Sequence, residues 1–204
     1  MMIRLYFTIL CSFAAALLLA QPHLPVDSLH DGDLLFVVNG GGNAITDVTH
    51  GVEGYPVDHV AIFHWIGTEP VVIQAVPGHG VEMVSIDSLC SLLAGRVCAA
   101  GFDARESIVQ AQRHIGKPYD NYFDASDQAM YCSELVQKSF VTRRGKRVFK
   151  TIPMEFRDAS GAIPQFWVDH YRQAGRQVPE GKPGTNPGAL SRSPQVVILG
   201  QLDF

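Results

Sequence analysis

The chain has 204 residues, 47% of them hydrophobic and 18% charged, with a net charge of -4. That length suits one domain with a real core, and the composition excludes a disordered chain. The one basic run, Arg143-Arg144-Gly145-Lys146-Arg147, is short and fits a solvated helix end, so nucleic acid is not an expected partner.

At the start of the chain, Arg4, an apolar stretch over 7–19 and Ala20 before Gln21-Pro22 read as a secretory leader. The expectation is a signal peptide over residues 1–20 and a single mature domain over 21–204, located in the periplasm or outside the cell. Leu18 is large for a position near the cleavage site, so an uncleaved anchor is the alternative. The stretch is short for a spanning helix, and no later segment is apolar enough to cross a membrane. Removing the leader takes Cys11 with it and leaves Cys90, Cys98 and Cys132. An odd number in an exported protein leaves one thiol unpaired. Either Cys90 and Cys98 form a local disulfide, or both are small buried hydrophobes; Cys132 is the free thiol. No Cys/His spacing suits zinc, so neither a metal nor a cofactor is expected.

Residues 21–29 form an extended lead-in with two prolines, and Asp31-Gly32-Asp33 turns into an apolar strand over 34–38. The Asn39–Asn43 stretch is a glycine loop that lacks the Lys-Ser/Thr ending of a phosphate cradle. A short helix is expected over 44–49. Strands over 57–66, 70–76 and 80–86, joined by tight turns, predict an antiparallel meander. Asp87 is placed as the cap of a helix over 88–94, followed by a strand over 97–102. A helix runs from Asp103 or Ala104 to His114, with Ile108, Ala111 and Ile115 at helical spacing. Gly116-Lys117-Pro118-Tyr119-Asp120 ends it. After a polar loop over 123–130, a helix opens at Cys132 and ends near residues 143–145. A helix over 164–174, a wrapping loop over 178–193 and an apolar run over 195–199 complete an α+β domain.

The chemistry-bearing residues are few. A thiol at a helix N-terminus is biased toward thiolate by the helix dipole and free amides, and an imidazole in reach makes it a nucleophile. Strict alternation places His59 on one strand face with Ala61 and Phe63, opposite Asp58, Val60 and Ile62. A half-buried imidazole needs a partner. Gln74, an amide within an apolar run on the adjacent strand, needs one too. Cys132, His59 and Gln74 then read as nucleophile, base and base-orienting group, because an amide oxygen can hold one imidazole tautomer. Tyr131 and the Cys132 amide are candidates for an oxyanion hole. Asp58 would touch a substrate amine or face solvent. Ser133 fits either substrate contact or first-turn capping, and Glu134 fits first-turn capping and dipole complement. Tyr119 and Asp120 would shape the loop before the nucleophile, and His50, His64 and His79 read as surface or turn residues.

The segments Gly32-Asp33-Leu34-Leu35-Phe36, Asp58-His59-Val60-Ala61-Ile62, Ile73-Gln74-Ala75-Val76, Gly116-Lys117-Pro118-Tyr119-Asp120 and Tyr131-Cys132-Ser133-Glu134-Leu135-Val136 occur in the order found in YiiX-like proteins. With Ile152-Pro153 and Ser193-Pro194-Gln195, the chain from Asp31 to Leu199 resembles this circularly permuted branch of the NlpC-type, papain-like cysteine hydrolases. The resemblance implies a permuted papain-like α+β fold, an antiparallel sheet or half-barrel packed against helices. It also implies Cys132 as nucleophile and His59 as base. Permutation accounts for His preceding Cys. The family usually carries Glu where this chain has Gln74, which removes a charge beside His59.

The function this implies is a secreted cysteine amidase or peptidase acting on a peptide or acyl-amide, a peptidoglycan fragment being the class the family suggests. Two rivals stand beside it: a lipid acyltransferase or hydrolase of the lecithin–retinol acyltransferase type, and a catalytically weakened module that only binds peptide. Oligomeric state is not readable from the sequence.

Overall fold

A computed structural model describes residues 23–202; the expected leader over 1–20 lies outside them. Leu34–Val38 (β2, after the short β1, His23–Leu24) is continuously apolar because it is buried on both faces. Leu34 and Phe36 join one core, and Leu35 joins a second on the opposite face. Around it lie Val57–Ile66 (β3), Glu69–Val76 (β4), Gly80–Ser85 (β5), Leu92–Val97 (β6) and Val196–Leu202 (β9). The seven strands run β1-β9-β6-β2-β3-β4-β5, antiparallel except for the β1–β9 pair. The expected meander is β3-β4-β5.

Four α-helices occur among the described residues: Ala104–Gln112 (α1), Cys132–Ser139 (α2), Gln165–Gln173 (α3) and Pro187–Ser191 (α4). A two-stranded strap, Ile152–Pro153 (β7) with Pro183–Gly184 (β8), ties together the long segment between α2 and α4. Asp103 caps α1 by accepting from the Glu106 amide at 3.0 Å. Helices α1 and α2 present Ile108, Ala111, Leu135 and Val136 to the core that holds Leu34, Phe36, Val60, Ile62 and Ile73. Burying each such Leu, Ile or Phe contributes about 1.5–3 kcal/mol. The far face packs Leu35, Ala61, Phe63 and Val72 against Leu29, Ile86 and Leu202. The architecture is the expected α+β one, a large mostly antiparallel sheet against helices.

Several local expectations fail for identifiable reasons. The helix expected over 88–94 is instead a single 3-10 turn, Ile86–Ser88, followed by β6. Gly95 explains the preference: a Cβ there would lie 2.8 Å from Val196 and 2.9 Å from Phe36 side-chain atoms, so the backbone is pressed between two strands. Helix α2 stops at Ser139, well before 143–145, because Phe140 turns extended and the Val141 amide leaves the helix to donate to Ser107 Oγ at 3.0 Å. Residues 44–49 form turns and not a helix, and the loop expected over 178–193 contains β8 and α4. Cys90 and Cys98 are both free and both exposed, so neither the disulfide nor the buried alternative holds.

Two expected motifs prove to be structural. Asp33, 2% exposed, takes a two-pronged contact from Arg96 on β6 (Nε to Oδ1 3.0 Å, Nη2 to Oδ2 2.7 Å), and Arg96 also donates to the Ser28 carbonyl. This fastens the start of β2 to its neighbour. Gly116 and Lys117 act as a short extension of the sheet. The Gly116 amide donates to the Val81 carbonyl and the Val81 amide to the Lys117 carbonyl, each at 2.8 Å. The loop that leads to α2 is thereby laid along β5.

Candidate active site

Cys132 is the first residue of α2, after Tyr131 at the N-cap in extended conformation. It is buried, and its sulfur faces the backbone amides of Val60, Ser133 and Cys132 itself. The Val60 contact matters most for assembly, because Val60 follows His59 on β3. Pairing of β3 with β4 runs from Ile66↔Glu69 to Ile62↔Ile73, and no pair of this ladder is formed between His59 and Gln74. Helix α2 packs against β3.

The strict alternation read from the sequence breaks here. The β2–β3 register slips between Val37↔His59 and Val38↔Val57, so Asp58 is an extra residue on the bulged strand. Val57 therefore shares a core with Val60 and Ile62, although alternation would oppose them. Bulges of this kind re-aim side chains beside active sites. Asp58 itself faces neither bulk solvent alone nor a free pocket. Its Oδ2 accepts from Asn39 Nδ2 at 2.8 Å and Asn43 Nδ2 at 2.6 Å, tying down the glycine loop.

His59 Nε2 lies 2.8 Å from Gln74 Oε1, the partnership expected from the two strands. Gln74 is 4% exposed, and its amide nitrogen donates to Glu82 Oε1 at 3.1 Å, directly across the β4–β5 ladder. Burial lowers the His59 pKa below its ordinary 6.5, against the opposing pull of the Gln74 hydrogen bond and the Asp58 charge. Burial also pushes the Cys132 thiol up to about 11, outweighing the three amides, while the Asp58 charge raises it further. The thiolate bias expected from the helix N-terminus is thus overcome: desolvation wins, and both the Cys132 thiol and the His59 imidazole rest neutral.

The remaining predicted residues serve the scaffold around the thiol. The Tyr131 hydroxyl accepts from the Thr185 amide at 3.1 Å, and the Thr185 hydroxyl donates to Ser133 Oγ at 2.9 Å. Both side chains clamp α2 to the segment after β8. Ser133 is fully buried and Tyr131 is 5% exposed, though both also border the cleft described below. Asp120, buried, accepts from the Tyr122 and Asp124 amides at 2.9 and 2.6 Å and fixes the loop before Cys132. Glu134, buried in the first turn, pairs with Lys138 at 2.9 Å. Its Oε2 has no hydrogen-bond partner among the described residues, and burial pushes its carboxyl up to about 7 despite Lys138.

An open cleft leads to Cys132. Its walls are Ile45, Val48, Tyr119, Phe123, Met154, Phe156 and Trp167, with Thr185 and Asn186 on the remaining side. Val48, Met154, Phe156, Trp167 and Tyr171 form a third small core, and the Trp167 indole donates to the Ala44 carbonyl at 3.1 Å. Sequence reasoning missed this apolar lobe because its residues come from three loops and α3, with no shared periodicity. It also missed Glu82, whose signal was available: a carboxylate opposite Gln74 in a hairpin of readable register.

Comparison with known proteins gives the family and the fold. The family described as permuted papain-like amidase enzymes, YaeF/YiiX, C92, matches residues 28–200. The uncharacterized protein YiiX of Escherichia coli K12 is 32% identical over 91 residues, 45% of this chain and 44% of that protein's length. The crystal structure of the metalloprotein YiiX from Escherichia coli O157:H7 superposes with a TM-score of 0.66 at 22% identity, covering 84% of this chain and 97% of that one.

Proposed function

The chain belongs to the permuted papain-like amidase family, a family of cysteine hydrolases, and from that premise we propose an exported amidase that works through a Cys132–His59–Gln74 triad. The observation that carries this reading is the His59–Gln74 hydrogen bond on a bulged strand whose next amide, that of Val60, faces the Cys132 sulfur.

Because both groups rest neutral, the thiol loses its proton during attack and not before it. The Cys132 sulfur forms a bond to the acyl carbon while its proton passes to His59, and Gln74 holds the imidazole as it becomes charged. The protonated imidazole then gives its proton to the amine as the C–N bond breaks. Water, deprotonated by His59, releases the acid and restores the thiol. The first-turn amides of α2 supply donors for the oxyanion. The YiiX structural relative is described as a metalloprotein. Among the described residues here no three or more His, Cys, Asp or Glu side chains are grouped to hold a metal ion, and no step above runs through one.

The proposed substrate is a cell-wall peptide or related acyl-amide met outside the cytoplasm, in keeping with the leader expected over residues 1–20. The apolar walls of the cleft favour a second reading, an acyl group delivered from a lipid. The test is to trap the acyl-enzyme by intact-mass measurement after incubation with peptidoglycan stem peptides and, separately, with phospholipid vesicles. A mass adduct from the peptides, absent in Cys132→Ala, is expected. An adduct from the vesicles alone moves the assignment to the lipid reading. Adducts that persist unchanged in Cys132→Ala refute both, and folded protein that forms none is a binding module.

A further inference from the structure

We infer that Glu82 is a positioning residue for the proposed reaction: through Gln74 it fixes which nitrogen of His59 carries the proton. The inference rests on His59 being the base and deepens that reading. A carboxylate can only accept hydrogen bonds when ionised, so the group that Gln74 turns toward Glu82 must be its NH2, as the 3.1 Å contact records. That leaves Oε1, an acceptor only, facing His59 Nε2 at 2.8 Å. Nε2 must then be the protonated nitrogen, and Nδ1 keeps its lone pair free to take the thiol proton. Without Glu82 the amide is free to turn over, present NH2 to Nε2, and drive the proton onto Nδ1, where it blocks the base.

The arrangement also relocates a charge. The carboxylate that the family usually carries at the position of Gln74 stands here one strand further out, at the directly opposed position of β5. The other charged or titratable neighbours are few. Asp58 acts on His59 from β3, and His79 Nδ1 lies 3.3 Å from Glu82 Oε2, on the side away from Gln74's contact. Glu82 is partly buried, and its strand is held by the Gly116–Lys117 clamp, so the carboxylate has a fixed place.

The test uses the full chain with 15N-labelled histidine, reading the His59 ring nitrogens by NMR, and p-nitrophenyl acetate as acylating probe, reading p-nitrophenolate release and Cys132 mass. Glu82→Gln is expected to move part of the His59 population from the Nε2–H to the Nδ1–H form. It should also slow acylation by the same factor by which the Nε2–H population falls, since only that form can take the thiol proton. The swap variant Gln74→Glu/Glu82→Gln returns the carboxylate to His59 and should restore both the Nε2–H form and the acylation rate, which a merely structural role for Glu82 would not do. A wild-type tautomer in Glu82→Gln, or a swap no better than that single variant, overturns the inference. If the tautomer shifts as expected but wild-type Cys132 is not acylated, Glu82 keeps its role and the hydrolase reading is what fails.

Discussion

The two sides of the candidate site are built on opposite principles. On the strand side, His59, Gln74 and Glu82 form a chain of hydrogen bonds across three adjacent strands, each polar group answered by the next. On the helix side, Cys132 is enclosed by α2 and an apolar lobe of Val48, Met154, Phe156 and Trp167, and its thiol is held protonated by burial. Orientation is thus the work of the sheet, while protonation state is set by burial. A thiol kept neutral is protected from oxidation and alkylation, which act on thiolate.

The strongest way to break this contrast is to remove the lobe's central residue. Trp167→Ala should destabilise the fold by about 3–5 kcal/mol, the usual cost of deleting a buried large aromatic, since Trp167 is 4% exposed and packs on Phe123 and Phe156. With the wall opened, the Cys132 thiol should fall from about 11 toward its ordinary 9, while the His59 partnership stays intact. Denaturation by urea and iodoacetamide kinetics against pH report the two effects; unchanged alkylation in a destabilised variant would uncouple the lobe from the thiol.

A smaller effect separates burial from pairing within α2. The folded Glu134 carboxyl, at about 7, lies above its ordinary 4.5. Folding therefore favours the protonated form: this contribution is fully present below about pH 4.5 and is lost as pH rises through about 7. Glu134→Gln, which cannot ionise, should gain on the wild type by about 2–3 kcal/mol across that window. Parallel urea titrations at pH 4.5 and pH 8 measure it, and a constant difference between the two proteins would show that Lys138 fully compensates the buried charge.

The gentlest probe is the pH profile of acylation. His59, lowered below 6.5, stays neutral and able to accept a proton in mild acid, and Cys132 keeps its proton up to about 11. The productive pair therefore spans a broad plateau, with its acidic limb below pH 6.5 and no second limb before strongly alkaline pH. A lower limb at or above pH 7 would mean a charged, solvated imidazole and a different balance between the two sides.

What the sequence disclosed follows the same division. The meander, the His59–Gln74 partnership and Cys132 at a helix start were legible because each rests on local periodicity, turn residues or the need of a buried polar group for a partner. The bulge at Asp58 was not, since one extra residue in a ladder leaves no compositional mark, and it undid the face assignment at that point. The lobe was illegible because Ile45, Phe123, Met154 and Trp167 meet only in three dimensions. The direction of the thiol shift failed for a related reason: the helix terminus is visible in the sequence, but the burial that outweighs it is not. Strand β6 was misread because Leu92-Leu93-Ala94 suits a helix locally, while Gly95 between Phe36 and Val196 demands a strand.

Gly80 opens β5 with a φ of +79°, and a Cβ there would strike the Lys117 carbonyl. The spacing between the hairpin that carries Glu82 and the loop that delivers Cys132 is consequently set by main chain touching main chain, with no side chain as a shim. Replacing that glycine would lever the hairpin that carries Gln74 and Glu82 away from the loop that leads to Cys132.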